Sequence, residues 1–478
     1  MTQQTLDGVR SPSPRQPIRW PQGRARVFWL SLGWVVLATL LQLMRGPGNR
    51  AAHVIWAEDG GVFFNQALRH DFWHNLFAPH AGYFQVVCRL LAQPAAHLPI
   101  EWVAVWFAIS GALVVALISL LVFFTSRTIL TSTWAPLLLA GLVPLLPQAG
   151  YEVNANISNL HWYLAYAAFW VLLAAPSSRR GRAGACFIVV LAALSDPLTA
   201  LVLPAALVSP RRRASVIPAA AMVAALGLQA TIYLGQADSY SNSATSVGDL
   251  FWIYGLRVGA SAVTGDRSLI PFYTALGLAG VAAVGVLGCV ALALLVIRAE
   301  RGARRIAVAA LLISVAYLVV PLGLRGTTSL LDREQFSING SRYTLVPLLL
   351  LWACLVVLLD NVSTRTSSRR FPLSARTTGL VLTCLAGVQL LSDVGAPTVR
   401  SEATRWSAEL QAAREECAAP PEDRAPQSAP LVADHDGSGS VPIVPGPDDV
   451  SIEVAPVPPP GEPVTFAIVL PCSTLRSS

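Results

Sequence analysis

Lysine is missing from all 478 residues, so every one of the 34 basic side chains is arginine. Charge of either sign is scarce: Asp, Glu and Arg together make up 13% of the chain, against about 25% in soluble domains. A chain so poor in charge could not cover its own surface in water, which excludes a soluble globular protein and points to a lipid surround. The chain also lacks a GxGxxG or Walker loop, a GxSxG elbow, an HExxH pair and any CxxC spacing. Soluble nucleotide-sugar chemistry, a hydrolase elbow and a zinc site are therefore unsupported.

What is present is apolar sequence in long runs, 54% of the whole. Residues 1–26 form a Pro- and Arg-rich arm, read as disordered and cytoplasmic. After it, Val27–Met44 is long enough to span, given the ~20 residues a bilayer core requires. Further spans are expected at Trp102–Phe124, Trp134–Gln148, His161–Ala175, Ala214–Leu234, Pro271–Ile297, Ile306–Leu324, Tyr343–Leu359 and Thr377–Leu391. The stretch Ala183–Val208 is interrupted by Ser195-Asp196-Pro197. Proline removes a helix hydrogen bond and disfavours helix before it, so two half-helices meeting at a turn are expected there. The fold class is thus an all-α polytopic membrane protein of about nine full spans plus a broken helical hairpin.

Orientation follows from the arginines. The net charge of +7 is not spread as a nucleic-acid surface; it sits in short clusters between apolar runs, the positive-inside pattern. Arg179–Arg182, Arg211–Arg213, Arg298–Arg305 and Arg365–Arg376 all fall inside if residues 45–100 form one external loop. The N-terminus is then cytoplasmic and the C-terminus extracytoplasmic. Residues 27–393 make the transmembrane domain, and 394–478 a small external α+β domain. In that tail a helix is expected over Thr398–Ala418, with Trp406, Leu410, Ala413 and Cys417 at helical spacing. Strand-like runs follow at 440–444, 451–457 and 463–470. Cys417 and Cys472 are the two cysteines of this tail, and an oxidising compartment favours a disulfide between them.

Candidate chemistry lies on the external side. In Trp56-Ala57-Glu58-Asp59-Gly60-Gly61 the adjacent carboxylates Glu58 and Asp59 repel one another, which raises the pKa of one. Such a pair can deprotonate a hydroxyl or hold a divalent cation; the other reading is a helix N-cap. As a surface-loop residue, Asp59 is expected to shift stability by less than about 0.5 kcal/mol when substituted. His80 and Arg89 in the same loop could face a phosphate, or Arg89 could snorkel to headgroups. Asn156, Asn159, His161 and Trp162 form a plausible sugar-binding rim, against roles as caps and interfacial anchors. Asp196, ionisable within an apolar hairpin, reads as a functional residue or as the cap before Pro197. Arg325, Arg333 and Arg342 run against the positive-inside bias, and a phosphate partner would explain them; pairing with Asp332 and Glu334 is the alternative.

These residues resemble the GT-C superfamily of polytopic glycosyltransferases, and the whole looks like GT-C-like membrane proteins of actinobacteria. The likeness rests on a first span, an external loop with Glu58-Asp59, the broken pair around Ser195-Asp196-Pro197 and Gly340-Ser341-Arg342-Tyr343 at a span entrance. It implies transfer of a sugar from a polyprenyl-phosphate donor to a cell-envelope glycan or lipid acceptor outside the cytoplasm, usually with inversion. Asp59, helped by Glu58, would be the acceptor-activating base or a metal ligand, and Arg342 with Tyr343, and Arg89 or Arg325, would hold the donor phosphate. Mg or Mn is required by some relatives and not by others, so the resemblance leaves the metal open. A lipid-linked sugar flippase and a non-catalytic membrane scaffold are the competing classes. The orientation has a direct test: cysteines introduced near Arg180, Arg212 and Gly302 should resist an impermeant thiol reagent in intact cells, while those near Ser243 and Ser428 react. Labelling at Gly302 would invert the topology.

Overall fold

The computed structural model describes residues 23–150, 152–233, 246–325, 340–365, 374–420, 445–456 and 466–476. Among the described residues seven helices are long and apolar enough to cross a membrane, which makes this a multi-pass membrane protein. The first is α1 (Arg24–Leu43). The loop that follows contains several short helical turns, a two-residue hairpin of β1 (Pro79–His80) and β2 (Tyr83–Phe84), and α2 (Val86–Ala95). Next come α3 (Val103–Ser126), α4 (Trp134–Leu145) and α5 (Leu160–Ala174).

The apolar runs expected at Trp134–Gln148 and His161–Ala175 are helices, α4 and α5, but shorter than the seven span candidates. Helix α4 has 12 residues and α5 has 15, so they rise only about 18 and 22 Å. Pro144 sits in the last turn of α4 and Pro147 follows it, and Pro147–Gly150 tightens to a 3-10 turn. Every residue of α5 is buried. A helix that is apolar all round and enclosed by protein does not have to match the bilayer.

The broken hairpin is present as α6 (Arg179–Ala193), a 3-10 segment at Pro197–Val202 and α7 (Pro204–Val208). Four longer helices follow: α8 (Arg212–Tyr233), α9 (Leu269–Arg298, kinked at Gly277), α10 (Arg301–Arg325) and α11 (Ser341–Arg365). Helix α10 packs along α11, where Ser314 Oγ donates to the Pro347 carbonyl at 2.7 Å. The last span candidate starts with α12 (Ala375–Val394). Some buried polar groups inside the bundle are paired across helices. Trp34 Nε1 donates to Ser119 Oγ at 3.0 Å, which donates to the Ala140 carbonyl at 2.7 Å, and Gln42 Nε2 donates to the Ala112 carbonyl at 3.0 Å. An unpaired polar group in a dry bundle would cost several kcal/mol.

The expected tail helix is split into Val399–Glu402 and α13 (Trp406–Ala418). Trp406, Leu410, Ala413 and Cys417 are its buried stripe. Two strands, β3 (Asp449–Glu453) and β4 (Ala467–Pro471), pair antiparallel with Ser451 opposite Val469. The run 440–444 lies outside the described residues, as do Arg333, Asp332 and Glu334. Cys417 and Cys472 form a disulfide.

One contact fixes the height of the irregular segment 154–159. A Cβ on Gly111 of α3 would lie 2.8 Å from the Asn156 carbonyl oxygen and 2.9 Å from its carbon. Backbone cannot yield as a side-chain tip can, so Gly111→Ala should destabilise the protein by about 1–3 kcal/mol. Gly141→Ala, with nothing within 4 Å of the added carbon, should be neutral. Thermal unfolding in detergent compares the two; equal midpoints would mean that the segment does not rest on α3.

Candidate functional site

The Glu58-Asp59 pair opens a π-helical turn, Asp59–Phe64. Such turns are rare and occur often at functional sites. The chain enters it through Ala57 at φ +28, a left-handed conformation costly for a residue with a Cβ. The tail holds this entry in place: Ala57 N donates to the Ala455 carbonyl, and Ala455 N to the Ile55 carbonyl at 3.2 Å. Gly60 and Gly61 admit the tail closely, since a Cβ on Gly60 would meet Ile468 at 2.9 Å and one on Gly61 would meet Phe466 at 3.1 Å. Asn65 completes the junction as a clamp on β4. Its Nδ2 donates to the Ala467 carbonyl at 2.7 Å and its Oδ1 accepts from Val469 N at 3.0 Å.

The two carboxylates then diverge. Asp59 is 1% exposed; its Oδ1 accepts from Ser158 N at 2.8 Å and its Oδ2 from Ile157 N at 3.1 Å. Burial pushes its carboxyl up to about 7, against the pull of those two N–H groups and of Arg400. Arg400 comes from the tail, donates to the Asn154 carbonyl at 2.7 Å and lies 5.0 Å over the Trp56 ring. Asp59 is therefore a buried link between two loops, which corrects the expectation of a surface position.

Glu58 turns the other way. Its Oε1 is 3.9 Å from Arg342 Nη1, which is held at 2.9 Å by Glu152 Oε1. Glu152 Oε2 accepts from Arg342 N and from Ser341 Oγ, both at 3.2 Å. The start of α11 is thus pinned by one carboxylate, while Glu58 keeps a looser hold on the same guanidinium. Arg342 also lies 5.3 Å over the ring of Tyr343.

Tyr343 leads into a cavity of about 230 Å³. It is lined by the polar and aromatic residues Tyr83, His161, Trp162, Asp196 and Tyr343 together with the apolar Leu198, Val320, Pro321 and Leu324. Trp162 meets the Tyr343 ring edge-on at 5.8 Å, and His161 Nδ1 is 2.8 Å from the Ser158 carbonyl. Asp196 caps the 3-10 segment, accepting from Leu198 N at 2.8 Å, while also lining the cavity.

Other expected residues are placed elsewhere. Arg89 is 1% exposed; it donates to Gln66 Oε1 at 2.6 Å and Asn75 Oδ1 at 2.8 Å, over the Phe63 ring. His80 packs edge-on against Phe63, and its strand partner Tyr83 reaches the cavity instead. Asn156 and Asn159 bond each other, Asn156 Oδ1 accepting from Asn159 Nδ2 at 3.1 Å. Arg325 ends α10 and its side chain lies outside the described residues. Glu152 and Arg400 are the residues that sequence reading missed. Glu152 carried a signal, being a carboxylate at the rim of an apolar run; Arg400 carried none.

Among the described residues no group of three or more His, Cys, Asp or Glu side chains could hold a metal ion. Between Glu58 and Glu152 the position a cation would take is filled by Arg342, and both Asp59 oxygens are already committed. These donors do not fit Mg or Mn.

No protein family and no curated protein matches the sequence. Two solved structures are similar in fold. One is the arabinofuranosyltransferase AftD from mycobacteria, at 16% identity and TM-score 0.42, covering 77% of this chain and 26% of AftD. The other is the Archaeoglobus fulgidus oligosaccharyltransferase, in complex with Zn and sulfate, at 16% identity and TM-score 0.38, covering 80% of this chain and 55% of that one. The chain thus spans about a quarter of the first and just over half of the second. What the site does rests on its own residues.

The Asp59 carboxyl yields a pH prediction. A pKa of about 7 in the folded protein, against about 3.9 when unfolded, means that folding takes up a proton between those values. The native state then binds more protons than the unfolded one, so stability falls as pH rises from about 4 to about 7 and levels off above. Asp59→Asn should flatten this slope. Its amide NH₂ would face a backbone N–H, which should cost about 1–3 kcal/mol near neutral pH. Thermal midpoints between pH 4.5 and 8.5 measure both; an unchanged slope in the variant would remove Asp59 as its source.

Proposed function

We propose that this chain is a membrane glycosyltransferase that moves a sugar from a polyprenyl-phosphate donor to an extracytoplasmic envelope acceptor with inversion. The observation that carries this reading is the meeting of Glu58 and Arg342 beside a cavity lined by both aromatic, polar residues and apolar ones. The donor has the same two chemistries. Its sugar would stack and hydrogen-bond along Trp162, Tyr83, His161 and Asp196, and its isoprenoid would lie against Val320, Pro321 and Leu324.

In the proposed reaction an acceptor hydroxyl oxygen forms a bond to the anomeric carbon as the bond from that carbon to the phosphate oxygen breaks. The hydroxyl proton passes to the Glu58 carboxylate. Polyprenyl phosphate leaves as an anion, and Arg342 is the cation placed to meet it. Glu152 positions that guanidinium without giving it up, since its second oxygen is anchored on Ser341 and the Arg342 backbone. This assigns to Glu58 the role of base that sequence reading gave to Asp59, because both Asp59 oxygens already accept backbone hydrogens. Asp59 becomes a positioning residue.

The test is transfer of labelled sugar from a panel of polyprenyl-phosphate sugars into membranes holding each variant. Glu58→Gln should lower transfer by roughly 10²–10⁴-fold, the usual cost of losing a general base, with insertion and the Cys417–Cys472 disulfide intact. Arg342→Gln should slow transfer and weaken donor retention. Full transfer by Glu58→Gln would sink the assignment of the base.

A further inference from the structure

A second and larger cavity, of about 930 Å³, lies at the other end of α10 and α11. Ile306 and Val357 line it, whereas Val320 and Tyr343 line the first. Along each helix the two positions are 14 residues apart, about 21 Å at 1.5 Å per residue. Arg211, Arg212 and Arg213, at the turn into α8, share this cavity with Arg305 of α10. Glu300 and Asp360 also line it, so four positive charges meet two negative ones, an excess of two.

Asp360 offsets one of these charges, but its oxygens are held elsewhere. Its Oδ2 accepts from Thr131 N at 2.8 Å and Thr131 Oγ1 at 2.9 Å, and its Oδ1 from Ser132 N at 2.8 Å. That carboxylate is committed to the turn between α3 and α4. The first turns of two long helices, α8 and α10, open on the same space, and the N-terminal ends of helices carry positive potential. The floor is apolar, with Leu130, Val208 and Val357.

We infer that this cavity binds a phosphate-bearing anion, supplied either by an anionic lipid headgroup or by a soluble diphosphate. Guanidinium forks pair in bidentate fashion with phosphate oxygens, and basic pockets between spanning helices are suited to anionic headgroups. The site is separate from the proposed sugar-transfer centre and does not depend on that reading. Convergence distinguishes it from ordinary positive-inside charge: the basic ends of two different helices line one shared, solvent-open cavity.

The experiment uses the full chain in nanodiscs of phosphatidylcholine, alone, with phosphatidylglycerol added, or with pyrophosphate in solution. Thermal midpoint and native mass spectrometry are read in each. A raised midpoint and a retained phosphatidylglycerol identify the headgroup as the source; a rise with pyrophosphate alone identifies the soluble anion. Arg212→Gln/Arg213→Gln should weaken that binding by roughly ten- to hundredfold, the loss of charge-assisted hydrogen bonds. Arg305→Lys keeps the basic end needed for insertion and loses only the fork, so it should retain a reduced shift even if the double variant folds poorly. No shift with either anion, or the same shift in wild type and Arg305→Lys, would overturn the inference.

Discussion

Two backbone N–H groups, at Ile157 and Ser158, lose contact with water where the segment ahead of α5 folds into the protein. Asp59 supplies their acceptors from a loop almost a hundred residues earlier in the chain. The bond is made in a dry surround, where such interactions are stronger than in water and where leaving either side unpaired is costly. Its consequence is positional. It brings the π-helical turn with Glu58 up to the start of α5, where His161 and Trp162 stand, and so beside Arg342 at the start of α11. Three separate elements become one site through a single carboxylate.

The tail makes that arrangement rigid. Strand β4 is bonded to Asn65, Ala455 pairs with the backbone of Ile55 and Ala57, and Arg400 bonds the Asn154 carbonyl across the Trp56 ring. Trp406 Nε1 donates to the Ile100 carbonyl at 2.8 Å, and Arg414 pairs with Glu101. The disulfide closes a separation of 55 residues, which in the chain-entropy account stabilises by about 4 kcal/mol. A left-handed Ala57 is tolerable under these conditions, because strain persists where its surroundings over-determine it. Among the described residues the tail contributes no side chain to the cavity; it sets the backbone from which Glu58 projects.

Much of this was readable from the sequence, and the failures have physical causes. Seven spans were visible because each is a long apolar run, and the break at Ser195-Asp196-Pro197 because proline acts locally. The buried stripe Trp406, Leu410, Ala413 and Cys417 followed from helical spacing alone. Adjacent carboxylates marked the first loop, but adjacency does not reveal which neighbour faces protein. Successive residues on a helical turn point about 100° apart, so one of Glu58 and Asp59 had to be buried when the other was not. Arg89 looked available for phosphate because its neutral partners, Gln66 and Asn75, come from other turns of the loop. Arg400 reaches the site through tertiary packing about 340 residues downstream of Asp59, a relation that no local pattern encodes.

The location of the site follows from where α4 ends and α5 begins. Pro144 lies in the last turn of α4, and Pro147 opens a 3-10 turn to Gly150 rather than more α-helix. Residues 152–159 are irregular backbone ahead of α5. At Ile157, Ser158 and Asn159 the backbone N–H groups take side-chain acceptors instead of helical ones. The segment presents N–H groups to Asp59 and Glu152 to Arg342, and α5, which begins just after it, presents His161 and Trp162 to the cavity. The departure from a simple bundle of spans is therefore what makes room for polar chemistry inside one.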